Sequence, residues 1–172
     1  MRYWPALAIA VALFAAGCTS SSSPTAASPT KPTFTADLKP ANEVPPVTNA
    51  ESNGSGNATI TFDLTKDAAG NVTAASATFV VNLNGFPANK PINAAHIHEG
   101  ASTCACPVRI NTNVAAGANV LTNGSGSFTA VVNGIDPAVA QGVINNPAGF
   151  YFNVHSTLNP GGFARGVLVK VQ

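Results

Sequence analysis

From Phe34 onward, apolar and polar residues alternate with a period of two. Phe34, Ala36 and Leu38 alternate with Thr35, Asp37 and Lys39, and Ala58, Ile60, Phe62 and Leu64 with Thr59, Thr61 and Asp63. Ala77, Phe79, Val81 and Leu83 follow the same rule. So do Val108 with Ile110, Phe128 with Ala130 and Val132, Phe150 with Phe152 and Val154, and Val167 with Val169 and Val171; Ala95 with Ile97 is a shorter candidate. Side chains along an extended chain point alternately to its two faces, so each run predicts a strand with one face against a core. Asn53-Gly54, Ala69-Gly70-Asn71, Asn84-Gly85, Asn123-Gly124 and Pro160-Gly161-Gly162 separate the runs with residues that suit tight turns. The expected fold is all-β: an antiparallel Greek-key β-sandwich of about seven to eight strands. One segment departs from the alternation. Asp136, Pro137 and the stretch from Ala138 to Ile144 read as an N-cap, a first-turn proline and a short crossover helix that stops before Pro147.

The first 32 residues lack this pattern. Met1 and Arg2 precede an apolar run from Tyr3 to Ala16, interrupted by Pro5. A membrane-spanning helix needs about 20 apolar residues, whereas a run of this length suits the core of a signal peptide. Ala15-Ala16-Gly17-Cys18 then resembles a bacterial lipobox, in which the cysteine thiol takes a lipid and the chain is cut on its amino side; Ala15 stands where leucine is usual. These features predict a signal peptide over residues 1–17 and a lipidated Cys18 whose acyl chains, such as palmitate, anchor the protein to a membrane. From Cys18 to Pro32 the chain is rich in Ser, Thr and Pro and has no large apolar residue, so residues 18–32 read as a flexible linker. Residues 33–172 form the expected domain. The reading places the protein in a bacterial cell envelope, at the outer membrane or cell surface.

Charge says little about partners. Only 9% of the 172 residues are charged, and loss of Arg2 with the signal leaves seven basic and seven acidic side chains. Nothing in this balance favours nucleic acid or anionic lipid. Catalytic patterns are also absent: there is no Gly-X-Ser-X-Gly elbow, no phosphate-binding glycine loop and no carboxylate cluster. Of three cysteines, Cys104 and Cys106 remain after lipidation. In an oxidising compartment they can close a disulfide; the alternatives are a reduced pair or a pair binding a soft metal ion.

The three histidines fall within short motifs. Asn42-Glu43-Val44-Pro45-Pro46 follows the first strand, Ala95-His96-Ile97-His98-Glu99-Gly100 lies mid-chain, and Tyr151-Phe152-Asn153-Val154-His155-Ser156 precedes Asn159-Pro160-Gly161-Gly162 and Ala164-Arg165-Gly166. In order and spacing these segments resemble the CHRD domain, a module named from chordin and also found in bacterial exported proteins. The resemblance runs from about Phe34 to Val171 and implies an extracellular β-sandwich-like module. It carries no settled activity for bacterial members, and the role of chordin as an antagonist of bone morphogenetic proteins belongs to a multidomain animal protein. Two departures stand out: Phe163 replaces the usual glutamate before the Arg-Gly pair, and Cys104-Ala105-Cys106 occupies a turn that is usually rich in Gly and Asn. His96-Ile97-His98-Glu99-Gly100 also looks like the metal strand of copper–zinc superoxide dismutases, but the chain lacks the further histidines of that dimetal centre.

Alternation puts His96 and His98 on one face of a strand and His155 opposite Phe150, Phe152 and Val154, so all three imidazoles face away from the core. If their strands are neighbours, His96, His98 and His155 converge as a copper or zinc site; otherwise they pin strand ends by hydrogen bonds to backbone or Asn153. Glu43 is expected to accept hydrogen bonds in its loop or to stand as a solvated charge. Glu99 and Arg165 are expected to pair, either bracing the histidine strand or as a surface contact. Two functional expectations follow. The first is a non-enzymatic module without a cofactor, displayed on a tether for an envelope or extracellular partner. The second is a copper- or zinc-binding envelope protein.

Overall fold

The computed structural model describes residues 1, 31–100 and 103–172. Cys18, most of the linker and all of the expected signal segment except Met1 lie outside the described residues. Among the described residues, ten strands form two antiparallel sheets. In the first, β1 (Thr33–Leu38), β2 (Ser55–Lys66) and β3 (Val72–Asn84) make a meander, with β10 (Val169–Lys170) beside β1 and β7 (Gly126–Ile135) beside β3. In the second, β8 (Phe150–Ser156) lies between β4 (Lys90–Glu99) and β9 (Ala164–Val167), and both β5 (Val108–Asn111) and β6 (Asn119–Leu121) pair with β4. The chain therefore crosses between layers after β3, β6, β7 and β9. One crossover carries the helix α1 (Pro137–Asn145), whose Asp136 carboxylate accepts the Ala138 N–H at 2.8 Å.

Alternation determines the core. Phe34, Ile60, Phe62 and Phe79 from the first sheet and Ile97, Phe152 and Val154 from the second are fully buried. Phe79 and Phe152 stack across the layers with ring centroids 5.8 Å apart, and Phe34 meets Phe62 edge-on at the same distance. Burial of such side chains provides the driving force for closing the two layers. Three expectations need correction. The described residues form ten strands rather than seven or eight, because β6 and β10 are too short to show a period. Ala95-Ile97 belongs to the ten-residue strand β4. At the C-terminus Leu168 is buried, whereas Val169 and Val171 are each 58% exposed: the strand breaks between Val167 and Val169, which reverses the phase.

One edge of the sandwich is closed by backbone. Lys39 and Arg165 exchange N–H···O bonds of 3.1 and 3.4 Å, joining the end of β1 to β9. Gly166 makes this approach possible, because a Cβ there would press on the Asp37 backbone, 2.7 Å from its carbonyl carbon. Gly166→Ala is therefore expected to lower stability by about 1–3 kcal/mol, as overpacking does. Thermal unfolding tests this, and an unchanged melting temperature would show that the edge has slack.

Candidate metal centre

The outer face of β8 is covered. All seven residues of β8 are buried, although alternation gives that strand only one core face. The connection from β1 to β2 supplies part of the cover: Glu43 reaches from it onto the outer face and Glu51 meets the end of the strand at Ser156, and the two are 5% and 1% exposed. Ser156 donates to Glu51 at 2.7 Å, and the Asn153 amide donates to both Glu43 oxygens at 3.0 and 3.1 Å. A polar layer is thus sealed between strand and loop.

The three histidines lie in this layer. β4 and β8 are hydrogen-bonded neighbours, with His96 opposite Asn153, His98 opposite Tyr151 and Ala94 opposite His155. This register puts His155 diagonally next to His96. Nδ1 of His96 is 3.0 Å from Nε2 of His155, and the three residues each offer a ring nitrogen within 4.8 Å of the others. The imidazoles face away from the apolar core, as alternation requires. They are nonetheless sheltered, with His98 and His155 each 8% exposed.

Hydrogen bonds select the tautomers. A carbonyl oxygen only accepts, so His98 Nδ1–H donates to the Cys106 carbonyl at 2.7 Å and His155 Nδ1–H to the Pro160 carbonyl at 2.9 Å. In the neutral rings both Nε2 atoms then carry lone pairs. Nε2 of His98 is buried without a hydrogen-bond partner. Backbone carbonyls that hold the far nitrogen are the usual support of metal-ligating histidines. Burial, followed by the neighbouring imidazoles, pushes the pKa of His96 down to about 4. Burial also lowers His98 and His155, against the opposing pull of their carbonyl partners. The cluster is therefore neutral at physiological pH, and neutral imidazole is the form that binds metal.

Tyr151 supports His98. Its ring is stacked on the imidazole, with centroids 4.8 Å apart and planes 2° from parallel. The Arg165 guanidinium lies over the Tyr151 ring, 4.6 Å from its centroid. Arg165 is 2% exposed and pairs with Glu43 at 3.7 Å. The expected Glu99–Arg165 pair is not formed: Glu99 faces Arg109 at 3.0 Å on the half-exposed edge. Phe163, in place of the usual glutamate, is buried edge-on against Phe86 at 4.8 Å. Glu43, from a different loop, is the carboxylate partner of Arg165. Tyr151 and Glu51 carried no sequence signal of these roles, since a tyrosine in a strand and a glutamate in a loop are ordinary.

Burial pushes Glu43 up to about 7 from an ordinary 4.5, and the Arg165 cation and the Asn153 amide only partly oppose the shift. A folded-state pKa above the unfolded one means that the native protein holds the proton more tightly, so this group favours folding below pH 4.5 and loses that contribution as pH rises to 7. The imidazoles, lowered in the fold, act in the opposite direction. The difference between wild type and Glu43→Gln isolates the carboxyl. Relative to the variant, the wild type is expected to lose on the order of 1–2 kcal/mol across the window, after allowance for solvent screening. Parallel denaturation curves at its two ends would count against this protonation.

Cys104 and Cys106 sit beside the centre with their sulfurs in disulfide contact and their Cα atoms 5.2 Å apart. A cavity of about 640 Å³ opens on the other side of Tyr151, lined by Glu43, Val44, Pro46, Arg165 and Val167 among others. The curated proteins and the solved structures contain no match to the chain. The CHRD domain profile matches residues 34–168. That span includes both sheets apart from Thr33 and the short strand β10, and every residue of the buried polar layer, and the chain belongs to the CHRD domain family.

Proposed function

We propose that this CHRD domain is a non-enzymatic binding module whose ligand is a single copper or zinc ion held by His96, His98 and His155. The observation that carries the reading is the convergence of three neutral imidazoles, two of which have their outer nitrogens tied to backbone carbonyls. A purely structural role leaves the buried Nε2 of His98 unexplained, because an unpaired buried acceptor costs about 1–3 kcal/mol. Copper and zinc both accept three imidazoles and leave a fourth position open. In this reading the domain is exported and anchored through Cys18, with residues 18–32 as the tether.

Protein purified without a histidine tag, stripped with chelator and loaded separately with copper and zinc, is expected to retain about one equivalent of one of them after dialysis. Occupancy below roughly one-tenth with both metals would defeat the reading and favour a metal-free interaction module. The anchor is tested independently: Cys18→Ala should move the protein from the membrane fraction to the soluble one, and a variant that stays membrane-bound removes the lipid from the proposal.

A further inference from the structure

We propose that the Cys104–Cys106 pair controls the metal centre, its disulfide holding His98 in ligating orientation and its reduction releasing that hold. The proposal rests on the reading of the imidazoles as metal ligands. Its basis is the convergence of contacts on one three-residue segment. The Cys106 carbonyl accepts the His98 Nδ1–H at 2.7 Å. The Cys106 N–H donates to the Tyr151 oxygen at 3.0 Å, and the Tyr151 hydroxyl donates to the Cys104 carbonyl at 3.3 Å. Arg165 Nη1 donates to the same carbonyl at 2.8 Å. The segment thus holds the edge of His98 and both rims of the stack that covers its face.

The sulfurs are also docked on the histidine strand. Gly100, just after β4 and two residues past His98, has φ +148, and a Cβ there would collide with both of them. Glycine therefore leaves the space that the pair fills. A bond between residues two apart removes most of the freedom of the two peptide units between them, which present the Cys104 carbonyl and the Cys106 N–H to Tyr151; the Cys106 carbonyl that accepts from His98 starts the next unit, on the Cα that the bond holds.

Reduction is a two-electron step. A dithiol reductant attacks the Cys104–Cys106 bond through a mixed disulfide, becomes a disulfide itself, and leaves two thiols that have taken up two protons. The segment then regains its backbone freedom, and the His98 Nδ1–H loses a fixed acceptor. Loss of such outer support typically lowers metal affinity about 10- to 100-fold. In an oxidising compartment the pair is closed and the centre is competent.

The test compares oxidised full-length protein with a Cys104→Ser/Cys106→Ser variant, which has neither the bond nor thiols that could themselves bind metal. Zinc affinity is measured by competition with a chromophoric chelator. The variant is expected to bind about 10- to 100-fold more weakly, with unchanged far-ultraviolet circular dichroism. Its His98 imidazole ¹⁵N resonances should move from a fixed Nδ1–H tautomer towards a mixture. Wild type that is reduced and then alkylated should weaken in the same way. Affinities within about twofold of each other, or a fixed His98 tautomer in the variant, would overturn the control while leaving the metal site intact. Oxidised wild type that binds no zinc would defeat the metal reading itself, and the control with it.

Discussion

Replacing His155 with alanine is expected to lower zinc affinity by more than about 100-fold, above the range produced by changes to the outer support of a site. The change removes one of three ligands and also frees the partner of His96 Nδ1, 3.0 Å away. The Pro160 carbonyl loses its donor as well. That second loss is structural, and because Pro160 is exposed it amounts to one ordinary hydrogen bond, about 0.5–1.5 kcal/mol. The two effects separate experimentally. Thermal unfolding of the metal-free variant reads the structural cost, and chelator competition on the folded protein reads the ligand. His155→Gln, which restores a polar side chain but not the imidazole, should recover part of the stability and none of the affinity. A metal-free variant with normal stability and affinity within tenfold of wild type would show that His155 is not a ligand.

The apolar core was legible because a period of two is a strong signal wherever one face is buried. Phe34, Ala36 and Leu38, and again Ile60 and Phe62, point inward as alternation requires. Asp136 and Pro137 marked the helix start through a local bond, Asp136 to the Ala138 N–H, that depends only on neighbours in sequence. The outer face of β8 was not legible. Alternation placed Tyr151, Asn153 and His155 away from the core, but it could not tell that a loop more than a hundred residues earlier covers them. Burial of Asn153 there depends on Glu43, and a carboxylate in a loop looks the same whether it is solvated or sealed. The histidines illustrate both sides. Their shared face follows from spacing, whereas their convergence depends on β4 and β8 being neighbours in one register, which is a property of the sheet. Arg165 is similar: its motif suggested a carboxylate partner, but the choice of Glu43 over Glu99 was made by the closure of β1 on β9.

Arg165→Met is expected to cost about 3–5 kcal/mol, the range for removing one member of a buried ion pair. The guanidinium is 2% exposed, and its contacts are spread over three elements. It donates to the Asn42 carbonyl through Nε and to the Cys104 carbonyl through Nη1, faces Glu43, and covers Tyr151. Methionine fills some of the volume and satisfies none of these acceptors. Part of the loss has an escape route. Glu43 already holds its proton up to about pH 7, and without the cation it would hold it higher still, so the buried negative charge is removed by protonation. The cost should accordingly be greater at pH 8 than at pH 6, because protonating Glu43 takes more free energy at the higher pH. Adding Glu43→Gln removes the charge outright, so the double variant should be more stable at pH 8 than Arg165→Met alone, and the cost of Arg165→Met measured in the Glu43→Gln background, where the imidazole contribution cancels, should be nearly independent of pH in this interval. Denaturant unfolding of the four proteins forms a double-mutant cycle that isolates the pair. Arg165→Lys is not a rescue, since an ammonium lacks the planar fork that reaches two carbonyls while stacking on a ring. A single-variant loss below about 1 kcal/mol, the value of a surface pair, would mean that Arg165 does not tie the loop, the cysteine segment and the tyrosine stack together.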